Sequence, residues 1–345
     1  MISIILVIGL YFNFGTDDTE EHLLQEVSTK PKVDQDLEGN PESASHLNMP
    51  EDGIVSLMGK TSADLVNQFG KPVRIDPSLY GYEWWIYAIN YDQYFQAGIK
   101  DNKVVTLYAA GSEVHIPPLK IGQSASEIYS KMVFETNISL DLNDSSYKFE
   151  LSEDDLNTRP LMMIGNVFAQ LYIDKFSGTL SSIRLIDAET LIKQHPYEMV
   201  YKGTLLEVVD EALINEEEVE RGKERQIFDI TNVFRVRSHL EPLEWDEQTA
   251  QVAWAHSKDM FESEQFSHVS NEFGDLADRL ETGNVFYQIA GENIAANYMD
   301  APAVMEGWLN SKGHRESLLN EQFTHLGVGV YKKHYTQNFI EKWQE

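Results

Sequence analysis

The sequence contains no cysteine. Disulfides, thiolate metal sites and a cysteine nucleophile are therefore excluded, and any metal or proton chemistry has to come from histidine, carboxylate and hydroxyl groups. Positive charge is scarce as well: 27 Lys and Arg stand against 56 Asp and Glu, a formal charge of -29 at pH 7. No basic stripe reverses that sign, so a nucleic-acid backbone is repelled and nucleic acid is excluded as a partner, whereas cations and basic proteins are attracted. Solubility is the simplest consequence of the charge. The third shortage is hydrophobic length. The apolar segment Ile2 to Phe14 is shorter than the ~20 residues that span a bilayer, and has neither a Lys/Arg n-region nor an Ala-x-Ala-like cleavage site. An acidic stretch follows at once, which favours a signal or signal-anchor segment over residues 1–14 rather than a buried first strand.

Residues 15–52 run from Asp17 to Asp52 with only Lys30 and Lys32 as positive charges and with no aromatic side chain. Such a stretch buries too little apolar surface to offset the entropy of ordering it, so it reads as an acidic disordered linker or stalk. The whole chain is 42% hydrophobic and 11% aromatic, enough for two globular domains in what remains, at 53–220 and 221–345.

The first domain shows two passes of one pattern. Gly59 to Gly70 predicts a turn and a short helix, followed by strands at Tyr82–Ile89, Tyr94–Ile99 and Lys103–Ala109 with an Asp101-Asn102 hairpin turn. Leu119 to Tyr129 repeats the opening, and strands follow at Tyr147–Leu151, Leu161–Ile164, Phe168–Asp174 and Leu180–Ile186. Two degenerate helix-plus-antiparallel-sheet repeats, an α+β domain, are the expectation. The aromatic run containing Trp84, Trp85, Tyr87, Tyr91, Tyr94 and Phe95 reads as core or sheet face, with a peptide or glycan platform as the alternative. His195 to Gly222, with its run Glu216-Glu217-Glu218, reads as a solvated bridge.

In the second domain, Phe228, Ile230, Val233 and Phe234 predict a helix continuing towards His239. Asp246 is placed to cap a helix with Ala250, Ala253, Trp254, Ser257 and Phe261 on its inner side, and Asp300-Ala301-Pro302 to open another that Gly313 ends. Three short clusters punctuate this region: Phe266-Ser267-His268 on a loop, Gly291-Glu292-Asn293 in a small-residue turn, and Gly313-His314-Arg315 after a helix.

The ordered motifs Thr231-Asn232-x-x-Arg235, Leu243-x-Trp245-Asp246, Ala255-His256-Ser257-x-Asp259-Met260, Phe266-Ser267-His268, Ala290-Gly291-Glu292-Asn293-Ile294-Ala295, Trp308-x-x-Ser311-x-Gly313-His314-Arg315, Phe323-Thr324-x-Leu326-Gly327-Val328-Gly329 and Tyr335-Thr336-Gln337-Asn338-Phe339 resemble a bacterial CAP (SCP) domain. That superfamily comprises cysteine-rich secretory proteins, antigen 5 and pathogenesis-related proteins. Residues 53–220 resemble the CAP-associated N-terminal domain of Gram-positive bacteria. The resemblance implies an α+β protein whose C-terminal domain is an α-β-α sandwich, with His268, Glu292 and His314 lining a central cleft. Two imidazoles and a carboxylate can hold a divalent cation such as Zn, Ca or Mn, or orient a water with Glu292 as general base. The Gly-His-[Tyr/Phe]-Thr-Gln motif of animal and plant members is not reproduced, and the cleft has no assigned second acid; Glu306, Glu316, His325 and His334 are its nearest candidates. The resulting expectation is a secreted or membrane-anchored binding protein of the bacterial envelope, meeting a protein, peptide or lipid partner. A metal-assisted, peptidase-like envelope hydrolase and a lipid- or sterol-binding protein are the alternatives.

Overall fold

The computed structural model describes residues 47–206 and 215–343, with the two-residue strands Leu10–Tyr11 and Lys32–Val33. The rest of the apolar segment 1–14 and most of the acidic stretch 15–52 lie outside the described residues. No helix among the described residues is long and apolar enough to cross a membrane. The chain divides between Gly222 and Lys223 into two compact units.

The first unit is built on a seven-stranded antiparallel sheet in the order Arg74–Pro77, Glu83–Tyr87, Phe95–Lys100, Lys103–Ala109, Thr179–Ile186, Val167–Asp174, Leu161–Ile164. The final strands of the two sequence passes meet at its centre, Ala109 opposite Ile183. Each pass opens on a helix, Ser62–Phe69 and Ala125–Lys131. Thr61 and Asp64 exchange side-chain and backbone hydrogen bonds at the start of the first, which satisfies donors that a helix N-terminus leaves open. Asp101 and Asn102 both take positive φ, as a tight two-residue hairpin requires. The second pass departs from the first. Its hairpin Asn137–Leu142 and Ser145–Glu150 leaves the main sheet and pairs with Glu198–Lys202. Trp84, Tyr87, Tyr94 and Phe95 are buried, and Tyr87 stacks on Phe95 with ring centroids 4.7 Å apart, so this aromatic run is largely core.

The expected bridge from His195 to Gly222 is corrected at both ends. Glu198–Lys202 is a strand because Tyr197 and Met199 bury against Phe149, Leu191 and their neighbours. The Glu216-Glu217-Glu218 run forms the first turn of a 22-residue helix, Glu216–Arg237, where carboxylates favour the positive end of the helix dipole.

The second unit is the expected sandwich. Its sheet has the order Ile289–Ala296, His334–Glu341, His325–Tyr331, Glu244–Trp245, with Leu10–Tyr11 parallel to Ile289–Ala290 outside the first of these. One face is covered by helix Glu247–Glu262, capped by the Asp246 carboxylate on the Thr249 N–H. That helix sits on glycines: a Cβ at Gly329 would lie 1.9 Å from the Trp254 nitrogen, and one at Gly327 2.2 Å from the Ala250 nitrogen. The close approach also explains why Trp254 and Phe261, expected inside, stay about two-fifths exposed and pack around the rim against Tyr331.

The opposite face carries the C-terminal part of the long helix and helix Ala301–Leu309, through Gln337 to Thr231 and Trp308 to the Ile294 carbonyl. Arg235, fully buried, donates to the carbonyls of Glu241, Leu318, Asn320 and Phe323 and so gathers two connections around one guanidinium. We expect Gly329→Ala to cost about 3 kcal/mol or more in urea unfolding, because backbone rather than a flexible side-chain end occupies the space. A smaller change would mean that the helix can lift off the sheet.

Candidate functional site

Gly291-Glu292-Asn293, read from sequence as a turn, lies in the middle of strand Ile289–Ala296. Gly291 serves close packing instead: a Cβ there would meet the Phe323 ring at 2.8 Å. Strand alternation sends Glu292 and Asn293 to opposite faces. Glu292 turns towards helix Glu247–Glu262, where His256 Nε2 lies 3.9 Å from its Oε1. Asn293 turns to the other face and donates to the His314 carbonyl at 3.1 Å and to Gln337 Oε1 at 3.2 Å.

His268 comes from the loop after that helix. Its Nδ1 is 2.9 Å from Glu292 Oε1. The other carboxylate oxygen accepts from Arg279, at 2.6 Å. Arg279 belongs to helix Leu276–Thr282, whose start is fixed by reciprocal bonds between Asp275 and Asp278. Its second arm donates to the carbonyls of His268 and Gly274, at 2.9 and 3.0 Å. One guanidinium thus holds both the carboxylate and the loop that delivers its histidine partner.

His314 was expected beyond a helix ended by Gly313, but Ser311 starts a new helix, Lys312–Leu318, that contains both residues. The Ser311 hydroxyl forgoes the backbone cap and lies 2.7 Å from His314 Nδ1. His314 makes no hydrogen bond to Glu292; it stands near enough to His268 for their charges to interact. Neither His268 nor His314 has a hydrogen bond on Nε2 among the described residues. Of the further candidates, Glu306 is buried, Glu316 is exposed, His325 faces Glu244 at 3.6 Å and His334 packs edge-on against Phe261.

Family comparisons agree with this architecture over both units. Residues 58–197 match the model of the CAP-associated N-terminal domain, and residues 228–341 match that of the cysteine-rich secretory protein family. The chain is 47% identical over 350 residues to the membrane protein YlbC of Bacillus subtilis, covering 99% of this chain and 98% of that one. The chain belongs to the cysteine-rich secretory protein family. Among solved CAP-family structures, an extracellular SCP-domain protein from Bacillus anthracis is 45% identical, with 92% of this chain and 100% of that one covered and a TM-score of 0.80. A cysteine-rich secretory protein from Staphylococcus aureus is 27% identical, covering 86% and 95%, with a TM-score of 0.77.

The electrostatics of the CAP cleft follow from burial and from one cation. Burial pushes the Glu292 carboxyl up, but Arg279, His256 and His268 outweigh it and hold it down at about 2. Arg279 is the largest of these charges, and burial pushes His256 down. Burial also drives His314 down to about 3, with His268 adding to the shift. Because an ionised carboxylate only accepts hydrogen bonds, His268 must carry its proton on Nδ1, and in the neutral ring Nε2 is then an acceptor.

These residues do not fit a three-ligand metal centre. Both Glu292 oxygens are engaged, one by a guanidinium, and no group of three or more His, Asp or Glu among the described residues is arranged to hold an ion. Glu292 is instead an orienting partner behind His268, an arrangement that sequence spacing could not distinguish from a ligand triad. Arg279 was missed, and His256, although within the Ala255-His256-Ser257-x-Asp259-Met260 motif, was given no role. A helical arginine and a helical histidine carry no pattern that separates a buried partner from a solvated one.

Two consequences are measurable. Arg279→Met should destabilise the protein by about 3–5 kcal/mol by leaving a buried carboxylate uncompensated, and Glu292→Gln in that background should recover part of the loss. A double variant no more stable than Arg279→Met would dissolve the coupling. As for pH, the unfolded chain protonates His314 near 6.5 and Glu292 near 4.5, whereas the folded chain resists down to about 3 and 2. Stability should therefore fall as pH drops below about 6.5, and fall further below about 4.5. His314→Gln should flatten the upper part of that decline in melting curves taken from pH 7.5 to 4.

Proposed function

We propose that this CAP-family chain is an extracytoplasmic binding protein of the cell envelope whose cleft recognises its partner through His268 and His314. The observation that carries the reading is the commitment of Glu292. A carboxylate held at about 2 by a buried guanidinium is a weak proton acceptor, so it makes a poor general base and a good anchor for an imidazole. The cleft then offers the Nε2 atoms of two buried histidines, one oriented by Glu292 and the other restrained by Ser311. A cation at this place would meet imidazole nitrogens and no free carboxylate, so metal-assisted hydrolysis and a His268-Glu292-His314 metal triad are the weaker readings. Envelope placement is supported by relatives named as a membrane protein and as an extracellular protein. The acidic charge favours a basic or hydrogen-bonding partner over nucleic acid.

The test pairs activity with association. Purified full-length chain should hydrolyse envelope-derived peptides no faster than the buffer blank, with or without Zn²⁺, Mn²⁺ or Ca²⁺, and Glu292→Gln should change nothing. Its co-sedimentation with a Gram-positive envelope fraction should weaken about tenfold on His268→Ala or His314→Ala, a loss on the scale of one well-made hydrogen bond to a buried group. Metal-stimulated turnover abolished by Glu292→Gln would overturn the binding reading in favour of the hydrolase.

A further inference from the structure

The inner side of Glu292 is lined by polar atoms that the protein itself does not satisfy. His256 is 1% exposed, and neither of its ring nitrogens has a hydrogen-bond partner. Its two carboxylate neighbours, Glu292 at 3.9 Å and Asp259 at 4.0 Å, are beyond hydrogen-bond reach. Asn338 is fully buried, and both its amide nitrogen and its amide oxygen are unpartnered. It lies directly across the sheet from Glu292 in register, so the two side chains share the face under helix Glu247–Glu262. The third strand contributes Gly327 opposite Asn338, where the backbone of helix Glu247–Glu262 at Thr249 and Ala250 takes the space of a Cβ. The Nε of Arg279, which holds Glu292 from the other side, is also without a partner. These are five orphaned atoms on three residues around one carboxylate: two each on His256 and Asn338 and one on Arg279.

Orphaned polar atoms are costly, about 1–3 kcal/mol each, and folded proteins seldom leave several together. Buried water is the ordinary remedy, because each molecule can donate and accept among several such groups. A gap of 3.9 Å between an imidazole nitrogen and a carboxylate oxygen can be closed by a water bonded to both. We propose that ordered water is sealed between helix Glu247–Glu262 and the sheet, bound by His256, Asn338 and Glu292, and that His256 is a positioning residue for the Glu292 carboxylate. His256 would thereby complete the cleft from behind, in the place where sequence reasoning found no fourth partner. The inference rests on the geometry around Glu292 and is independent of what the cleft binds.

Two measurements on the full chain decide it. A crystal structure at high resolution should show density for at least one water within hydrogen-bond distance of a His256 nitrogen and of Glu292 or Asn338. A dry layer, or a direct His256–Glu292 bond, would overturn the proposal. In solution, nitrogen-15 spectra of the histidines should show the His268 Nδ1–H in its carboxylate hydrogen bond. His256→Gln, which keeps a polar tip for the water, should retain that signal, whereas His256→Phe should reduce it at least severalfold. Melting curves of both variants separate this from unfolding. An unchanged His268 signal in folded His256→Phe would refute the positioning role, and if that variant does not fold, the crystallographic density and His256→Gln still decide: density for the water with the signal retained supports the proposal, and a lost signal in folded His256→Gln counts against it.

Discussion

The ion pair between Arg279 and Glu292 is the constraint on which the cleft depends. Both side chains are nearly inaccessible, so each charge would be untenable alone, and each fixes the other's position. Arg279 also binds the carbonyls of His268 and Gly274, which makes the loop from the end of one helix to the start of the next a dependant of the same guanidinium. Glu292 in turn fixes the proton on His268. The order of dependence is arginine, carboxylate, imidazole. What reaches the cleft is the last of these, with the charge already neutralised behind it.

The two faces of the sheet then bring the second histidine to the first. On one face, glycines at 327 and 329 let helix Glu247–Glu262 approach so closely that the Ser257 hydroxyl reaches Thr336 and the Gly329 carbonyl. On the other, Asn293 ties helix Lys312–Leu318 to the strand through the His314 carbonyl. Glu292 and Asn293 are neighbours in sequence, and strand alternation alone assigns one to each layer. The pair of adjacent polar residues therefore ties both layers to this one strand. In a unit without cysteine, the connections either side of residues 241 and 320 are gathered by hydrogen bonds from the buried Arg235 to four carbonyls.

Much of this was legible from the sequence, for local reasons. Asp246 and Asp300 read as helix caps because short carboxylates before an apolar period satisfy open N–H groups, and they do so in the structure. The strands from Lys103 and Leu161 read correctly because a short apolar run beside a two-residue turn leaves little freedom. Glu292 misled: a glycine before it suggested a turn, whereas the glycine answers a ring packed on it from another strand's connection. Such tertiary demands have no local signature. The acidic run at Glu216 misled in the opposite sense, since three glutamates suit a solvated bridge and the first turn of a long helix equally well. His268 and His314 were assigned a place by motif, while Arg279 was not and His256 appeared in a motif without a role, because the roles of these two exist only once the loop, helix and strand have met.

The charge balance of the molecule and that of the His268–Glu292–His314 cluster differ, and under the proposed binding role the difference limits what the cluster could recognise. The chain as a whole is strongly acidic, which raises the local concentration of basic partners by long-range attraction that salt weakens. At the cleft, Arg279 neutralises Glu292 and burial keeps His314 uncharged over the physiological range. If the proposed binding role holds, selection there has to come from hydrogen bonds and shape, where leaving a buried group unpaired penalises the wrong ligand. His268 sharpens that selection, because its tautomer is set from behind and its Nε2, in the neutral ring, can only accept. A partner that presents a donor at that point keeps the arrangement intact; one that presents an acceptor has to protonate the ring or leave the pair unmade.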